Sequence, residues 1–305
     1  MLKVYKVLDN KIIPVENGDG NIFIYINPDE KEKKFLVDEF RVDEHTLNSS
    51  LDPDELSRLE YEPEHVALIF KSPKNYSAKE QSLLFKVNSI GAFLFKDKLV
   101  IVTSEEIPFF PVKQFAKVGA LNNVLLKLIY SLTFHFLEHL KVINLISDEI
   151  ERKISTAMEN KYLLNQFTLG KSLVFYQNAI NSNNVLLEKL KLNSAKLNFT
   201  IEEVELLDDL IIENNQCYRQ AEIYSNILAS LMDAKGSIIS NNLNVLMKTL
   251  NIITIMIMVP TFVVSAFSMN VKIPFQSHPQ AFILIMSLAL ISVASFFVFW
   301  KWKRW

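Results

Sequence analysis

Apolar positions are concentrated at one end of this chain. Residues 249–271 are 23 consecutive positions without a charge, and residues 281–300, reading AFILIMSLALISVASFFVFW, are 20 more. At a rise of 1.5 Å per residue, each run can cross a hydrocarbon core of about 30 Å. The pattern predicts two membrane helices, at about 249–268 and 281–300, joined by a loop at 269–280. Helices buried in a soluble core share this apolarity, but two such runs joined by a short loop favour the membrane.

Upstream the period changes. Over residues 1–118 short β-rich runs alternate with turn signals, at Ile22-Phe23-Ile24-Tyr25-Ile26, 65–70, 82–87, 92–95 and 99–103. Leu51-Asp52-Pro53-Asp54-Glu55-Leu56 has the form of a capped helix start with proline in the first turn. An α/β domain is expected there, giving an α+β chain overall. Strand signals stop near Leu121, and two amphipathic helices are predicted at about 121–157 and 160–193, within a helical region spanning 119–200. Thr200-Ile201-Glu202-Glu203 is a capping box, in which hydroxyl and carboxylate satisfy each other's free N–H groups. Between it and Pro260 there is no proline and only Gly236, so residues 201–268 are predicted as one stalk helix that continues into the first span. A helix of that length requires neighbours to be stable.

The first span carries a polar stripe. Asn244, Met247, Asn251, Thr254, Met258, Thr261, Ser265 and Ser268 recur at alternating steps of three and four, with Leu250 at its border, while isoleucines, valines and Phe262 occupy the other faces. Polar groups inside a membrane cost free energy unless they face protein or water. Two readings stay open: helix–helix packing through small residues, or a pore lined by one copy of this helix per subunit. The second span has only Ser287, Ser292 and Ser295 as polar residues and reads as the lipid-facing helix.

Composition narrows the classes. The 305 residues carry a net charge of -2, which argues against a bulk nucleic-acid binder. A single cysteine, Cys217, rules out a disulfide framework, and its expected place is packed inside the stalk. Met1-Leu2-Lys3-Val4-Tyr5-Lys6 lacks the apolar stretch of a secretory signal. The tail 301–305 carries Lys301, Lys303 and Arg304 beside interfacial tryptophans, whereas the loop between the spans carries only Lys272. By the positive-inside rule both termini are expected in the cytoplasm, at the cell membrane. The four cations beyond Val271 leave a net -6 on the preceding residues.

Two smaller motifs compete for attention. Gly170-Lys171-Ser172 ends like a phosphate-binding loop, but Asn165 stands where an earlier glycine is required and the segment reads as helix, so no nucleotide is expected. His135 and His139 lie one turn apart with Glu138 beside them, a zinc-like spacing that is more often a packed helix face. No catalytic constellation is evident, and an enzyme is not expected.

Phe267-Ser268-Met269-Asn270 at the end of the first span resembles the Gly-Met-Asn signature of the CorA magnesium transporters. The resemblance extends through Asn244-Val245-Leu246-Met247-Lys248, Leu250, Ile252-Ile253 and Pro260-Thr261-Phe262, the basic-aromatic tail, and Leu51 to Leu56 ahead of an aliphatic strand. It implies a funnel-shaped homopentamer in the bilayer whose first spans surround a pore for divalent cations, Mg²⁺ foremost. Ser268, Met269 and Asn270 would form the selectivity filter. Asn244, Met247, Leu250, Asn251, Thr254, Met258, Thr261 and Ser265 would line the pore, with the methionines and Leu250 as hydrophobic constrictions. Lys301, Lys303 and Arg304 would form a basic ring. The resemblance further implies regulatory Mg²⁺ between subunits, and a gap-free count back from the signature puts Asp209, beside Asp208, at the acidic stalk position. Carboxylates there equally suit the dipole of a helix start. Ser268 replaces glycine, and Pro274, Phe275 and Gln276 bring no carboxylate to the loop, which keeps zinc, cobalt or nickel open as cargo. A membrane-anchored oligomeric scaffold without ion flux is the alternative of a different class.

Overall fold

A computed structural model describes residues 1–15, 19–75, 83–107, 109–110, 115, 118–157, 160–270 and 279–303. The chain divides into two compact units, Met1–Met232 and Asp233–Trp305.

The first unit opens with strands β1 (Leu2–Leu8), β2 (Lys11–Pro14) and β3 (Ile22–Ile26), then helices α1 (Glu30–Asp38) and α2 (Glu44–Ser49). Strands β4 (Arg58–Tyr61), β5 (His65–Pro73), β6 (Val87–Phe95) and β7 (Leu99–Thr103) follow, and then helices α3 (Leu121–Ala157) and α4 (Asn160–Leu192). The strands form one sheet in the order β2-β1-β3-β7-β6-β5-β4, antiparallel except for the β3–β7 pair. Alternation explains how both faces are covered. Ile22, Ile24, Leu68, Phe70, Ile90, Ala92, Leu99 and Ile101 point to one face and join Leu125, Leu128 and Ile129 of α3 and Leu186, Leu187 and Leu190 of α4. Their odd-even neighbours Tyr25, Ala67, Phe93, Val100 and Val102 point to the other and meet Leu36 of α1 and Leu47 of α2. Gly91, in β6, leaves room for the end of α2: a Cβ there would lie 2.4 Å from that of Ser50, the residue that caps the helix.

The strands at 22–26, 65–70, 92–95 and 99–103 stand where the pattern predicts them. The run 82–87 does not. Its residue 82 lies outside the described residues, 83–86 are not in a strand, and β6 begins only at Val87. Phe85 instead turns into the helical core, fully buried, with its N–H donated to Ser172 Oγ at 2.9 Å.

Residues 51–56 are also not a helix but a run of turns after α2. Asp52 Oδ1 accepts from the Asp54 N–H at 2.9 Å, a local turn that competes with helix. The carbonyls a helix would use are taken by tertiary donors. Ser89 Oγ donates to Asp52 O, and the buried Lys71 ammonium donates to Pro53 O at 2.8 Å. Asn183 of α4 closes this seam by accepting from Lys71 N and Ser57 Oγ, both at 2.8 Å.

Helix α5 (Ile201–Phe267) begins at the predicted capping box: Glu203 N donates to Thr200 Oγ at 3.2 Å and Thr200 N to a Glu203 carboxylate oxygen at 2.9 Å. Within the first unit its residues Cys217, Ala221 and Leu228 pack against Phe136, Leu140 and Ile143 of α3 and Leu169, Leu173 and Tyr176 of α4. Cys217 is thus a core thiol, and burial pushes its pKa up to about 12, so it is inert.

The second unit contains the rest of α5, from Asp233, and helix α6 (Ala281–Lys303). Both are long and apolar enough to cross a membrane, and almost nothing in their apolar windows is buried by the chain itself.

Candidate functional site: a polar stripe along the first span

The stripe is a property of helical geometry. At 3.6 residues per turn, Asn251, Thr254, Met258, Thr261, Ser265 and Ser268 fall along one side of α5. All six are exposed, as are Asn244, Met247 and Leu250 one to two turns earlier. On the opposite side, half a turn away, Ile252, Met256, Val259, Val263 and Phe267 are partly covered. They match the covered positions of α6: Ala281, Ile285, Ala289, Ser292, Val293 and Phe296. The stripe itself stays exposed, and toward the end of α5 it borders α6: Thr261, Ser265 and Ser268 share an open groove with Met286, Ala289, Leu290 and Val293.

The chemistry of the stripe is that of acceptors. Thr254 Oγ donates to Leu250 O at 2.9 Å, and Thr261 Oγ donates to Ile257 O at 2.6 Å. With their protons committed to the backbone, both hydroxyls turn lone pairs outward. A hydrated cation presents outward-pointing water hydrogens, which need such acceptors. Pro260 adds a local break, since its missing N–H leaves the Met256 carbonyl without a helical donor.

Helix α5 ends at Phe267, and the signature residues follow immediately as turn and bend. Ser268 N and Ser268 Oγ both donate to Ser265 O, at 3.1 and 3.0 Å, which closes the last turn. Met269 and Asn270 are exposed. Ser268 is not among the non-glycine residues with positive φ, so this backbone makes no demand for glycine. Lys272, Pro274, Phe275 and Gln276 lie outside the described residues, as does Arg304. Lys301 is exposed on α6, and Lys303 is its last residue.

The acidic pair separates. Asp208 is held by Lys191 of α4 across 2.8 Å, whereas Asp209 is exposed one residue further round α5. No three His, Cys, Asp or Glu side chains converge to hold a metal among the described residues.

The other motifs resolve into packing. His139 is buried, with Nδ1 2.7 Å from the Tyr176 hydroxyl and its ring edge-on to His135, while Glu138 is exposed. Gly170-Lys171-Ser172 lies inside α4, where Ser172 Oγ donates to Thr168 O. Sequence reasoning did not find the α6-facing side of α5. Its signal is the spacing of Ile252, Met256, Val259 and Val263, which is hard to separate from lipid-facing residues of the same kind.

Known proteins share this fold. The family described as CorA-like Mg2+ transporter protein matches residues 18–304. The cobalt/magnesium transport protein CorA of Methanocaldococcus jannaschii is 22% identical over 297 residues, covering 92% of this chain and 89% of the relative. The complete structure of the CorA magnesium transporter from that organism superposes with a TM-score of 0.82 at 20% identity, covering 98% of this chain and 96% of its own. The full-length CmaX protein gives a TM-score of 0.74 at 14% identity, covering 100% of this chain and 97% of its own. The cytoplasmic domain of ZntB from Vibrio parahaemolyticus gives 0.61 at 12% identity, covering 78% and 98%. At these identities the likeness concerns the fold.

Proposed function

The chain belongs to the CorA-like Mg²⁺ transporter family and is a divalent-cation transporter, not an enzyme; from that premise we propose that it forms a homopentameric channel for passive Mg²⁺ uptake. The observation that carries this reading is that the whole polar stripe along α5 is left exposed by the chain itself. In lipid that side would be costly, so copies of α5 facing one another around a water-filled axis satisfy it.

In this arrangement Asn270 forms the outer ring. Mg²⁺ sheds its water reluctantly, and carboxamide oxygens accept hydrogen bonds from the shell without displacing it. Ser268 and Met269 complete the filter. Thr261, Ser265, Thr254, Asn251 and Asn244 continue the line of acceptors, while Met258, Leu250 and Met247 supply constrictions that gate by dewetting. A divalent cation moving inward gains about 4.6 kcal/mol per 100 mV, so no nucleotide is required. Both termini lie in the cytoplasm of the cell, with Lys301, Lys303 and Arg304 at the inner mouth. Cytoplasmic Mg²⁺ bound at Asp209, with Asp208 beside it, bridges neighbouring subunits and holds the channel closed.

A second reading is kept for the cargo. The exposed Met247 and Met258 thioethers are softer donors than Mg²⁺ prefers, which favours cobalt, nickel or zinc. Family membership decides against the scaffold without flux. Uptake by the full chain in proteoliposomes under an imposed inside-negative potential tests both readings, using Mg²⁺, Co²⁺, Ni²⁺ and Zn²⁺ separately. Saturable Mg²⁺ uptake is expected. Uptake of Co²⁺, Ni²⁺ or Zn²⁺ without Mg²⁺ replaces the cargo, and no potential-driven uptake of any of them sinks the channel.

A further inference from the structure

A cavity of about 220 Å³ opens between α5 and α6 near the end of the second unit that carries the basic tail. Its walls are Ile252 and Ile255 on one helix and Phe296 on the other, and its polar rim is Lys248, Asn251 and Trp300. Lys248 is the last charge before the uncharged first span, and Trp300 closes the second, so the rim lies at a membrane–water boundary. Lys248 is exposed and makes no ion pair among the described residues. The Trp300 indole N–H is buried and has no acceptor among them. An N–H with no partner at this depth is costly.

Charge identifies what is missing. Beyond Asp233 the chain has six cations, Lys235, Lys248, Lys272, Lys301, Lys303 and Arg304, and not one Asp or Glu. The unit's one side-chain carboxylate, Asp233, lies about 22 Å before Lys248 along α5, too far to pair with it. We propose that this cavity binds one acidic phospholipid, its phosphate received by Lys248 and the Trp300 N–H and an acyl chain lying along Ile252, Ile255 and Phe296. The membrane is the source that supplies both halves of this ligand together. A free phosphate would leave the apolar wall uncovered, and a zwitterionic headgroup would bring its own cation to Lys248. The ammonium contributes a point charge to the phosphate, and the indole contributes direction.

The test uses the full-length protein, stripped of lipid in a neutral detergent and titrated with phosphatidylglycerol, phosphatidylcholine or inorganic phosphate. Native mass spectrometry reads the lipid retained per subunit. Phosphatidylglycerol is expected to bind about tenfold more tightly than phosphatidylcholine, and inorganic phosphate not to bind. Lys248→Gln and Trp300→Phe are each expected to lower phosphatidylglycerol affinity about tenfold and leave phosphatidylcholine unchanged, with the oligomer intact by size exclusion. Lys248→Arg, which keeps the charge, is expected to retain the lipid. Wild-type phosphatidylglycerol binding by Lys248→Gln and Trp300→Phe overturns the site. Equal retention of the two lipids overturns the acidic specificity, and binding of inorganic phosphate alone overturns the lipid as ligand.

Discussion

The two units of this chain place the same side chains in opposite positions. In Met1–Met232, Phe70, Phe93, Phe136 and Tyr176 are fully buried and most charged residues lie outside, with Lys71 and Glu203 as buried exceptions. In Asp233–Trp305, Phe262 and Phe282 are about three-quarters exposed, at 75% and 76%, and Ile257 and Ile283 are exposed as well. The difference is one of solvent. Against water, apolar area drives burial, so apolar periodicity reveals the core of the first unit. Against lipid, apolar area is neutral and polarity is the exception, so the polar stripe is what sets one face of the second apart.

The largest effect expected from that contrast is on stability. Phe136→Ala should destabilise the first unit by about 3–5 kcal/mol, the range for emptying a packed aromatic site. Ile257→Ala, on an exposed side of α5, should cost less than about 1 kcal/mol if lipid covers it. Denaturant titration of each variant in detergent checks both values, and equal costs would mean that protein, not lipid, covers Ile257.

Acid should act on the first unit by about 3 kcal/mol through one ring. Burial, reinforced by His135, holds the His139 pKa down at about 4 against an ordinary 6.5. Between those values the unfolded chain takes up a proton that the folded chain refuses. The stability tied to the neutral ring is thus complete above pH 6.5 and is lost as pH falls toward 4. Unfolding followed by near-ultraviolet circular dichroism of tyrosine should show this loss, and His139→Phe should flatten it.

Asn270→Ala should lower Mg²⁺ flux about a hundredfold, some 2.7 kcal/mol, with the oligomer unchanged on size exclusion. Undiminished flux would remove the ring from the mechanism. A smaller effect is expected of Asp209→Lys: protease protection of the cytoplasmic part should stop responding to added Mg²⁺, because a fixed ammonium among the carboxylates takes the place of the divalent bridge. An unaltered protection curve would move the sensor elsewhere. Smallest of all, Ser268→Gly should alter flux by no more than about twofold, since the Ser268 backbone avoids the region that favours glycine. A larger change would give its hydroxyl a role in the filter.

Where local signals and tertiary demands agreed, the elements were legible from the residues. The capping box at Thr200 starts α5 where expected, and helices α3 and α4 and both membrane segments follow their apolar runs. Strands β1 and β2, helices α1 and α2, and β4 went unrecognised. They are short, and Leu2, Leu8 and Ile13 remain exposed, which blurs the alternation. The turn-rich stretch 51–56 misled because its proline and acids suit a helix start just as well. Only Ser89 and Lys71, distant in sequence, claim its carbonyls.

For the functional site the division is similar. The stripe, its hydroxyls and carboxamides, and the end of the span at Ser268-Met269-Asn270 are written in the residue order, because a helix converts spacing of three and four into one face without outside help. Which side of α5 meets α6, that Asp208 is engaged by Lys191 while Asp209 is exposed, and that Lys248 and Trp300 share one cavity are contacts between segments far apart in the chain. Such contacts depend on how helices pack against one another, and periodicity along one helix says which side is polar but not which neighbour the opposite side meets.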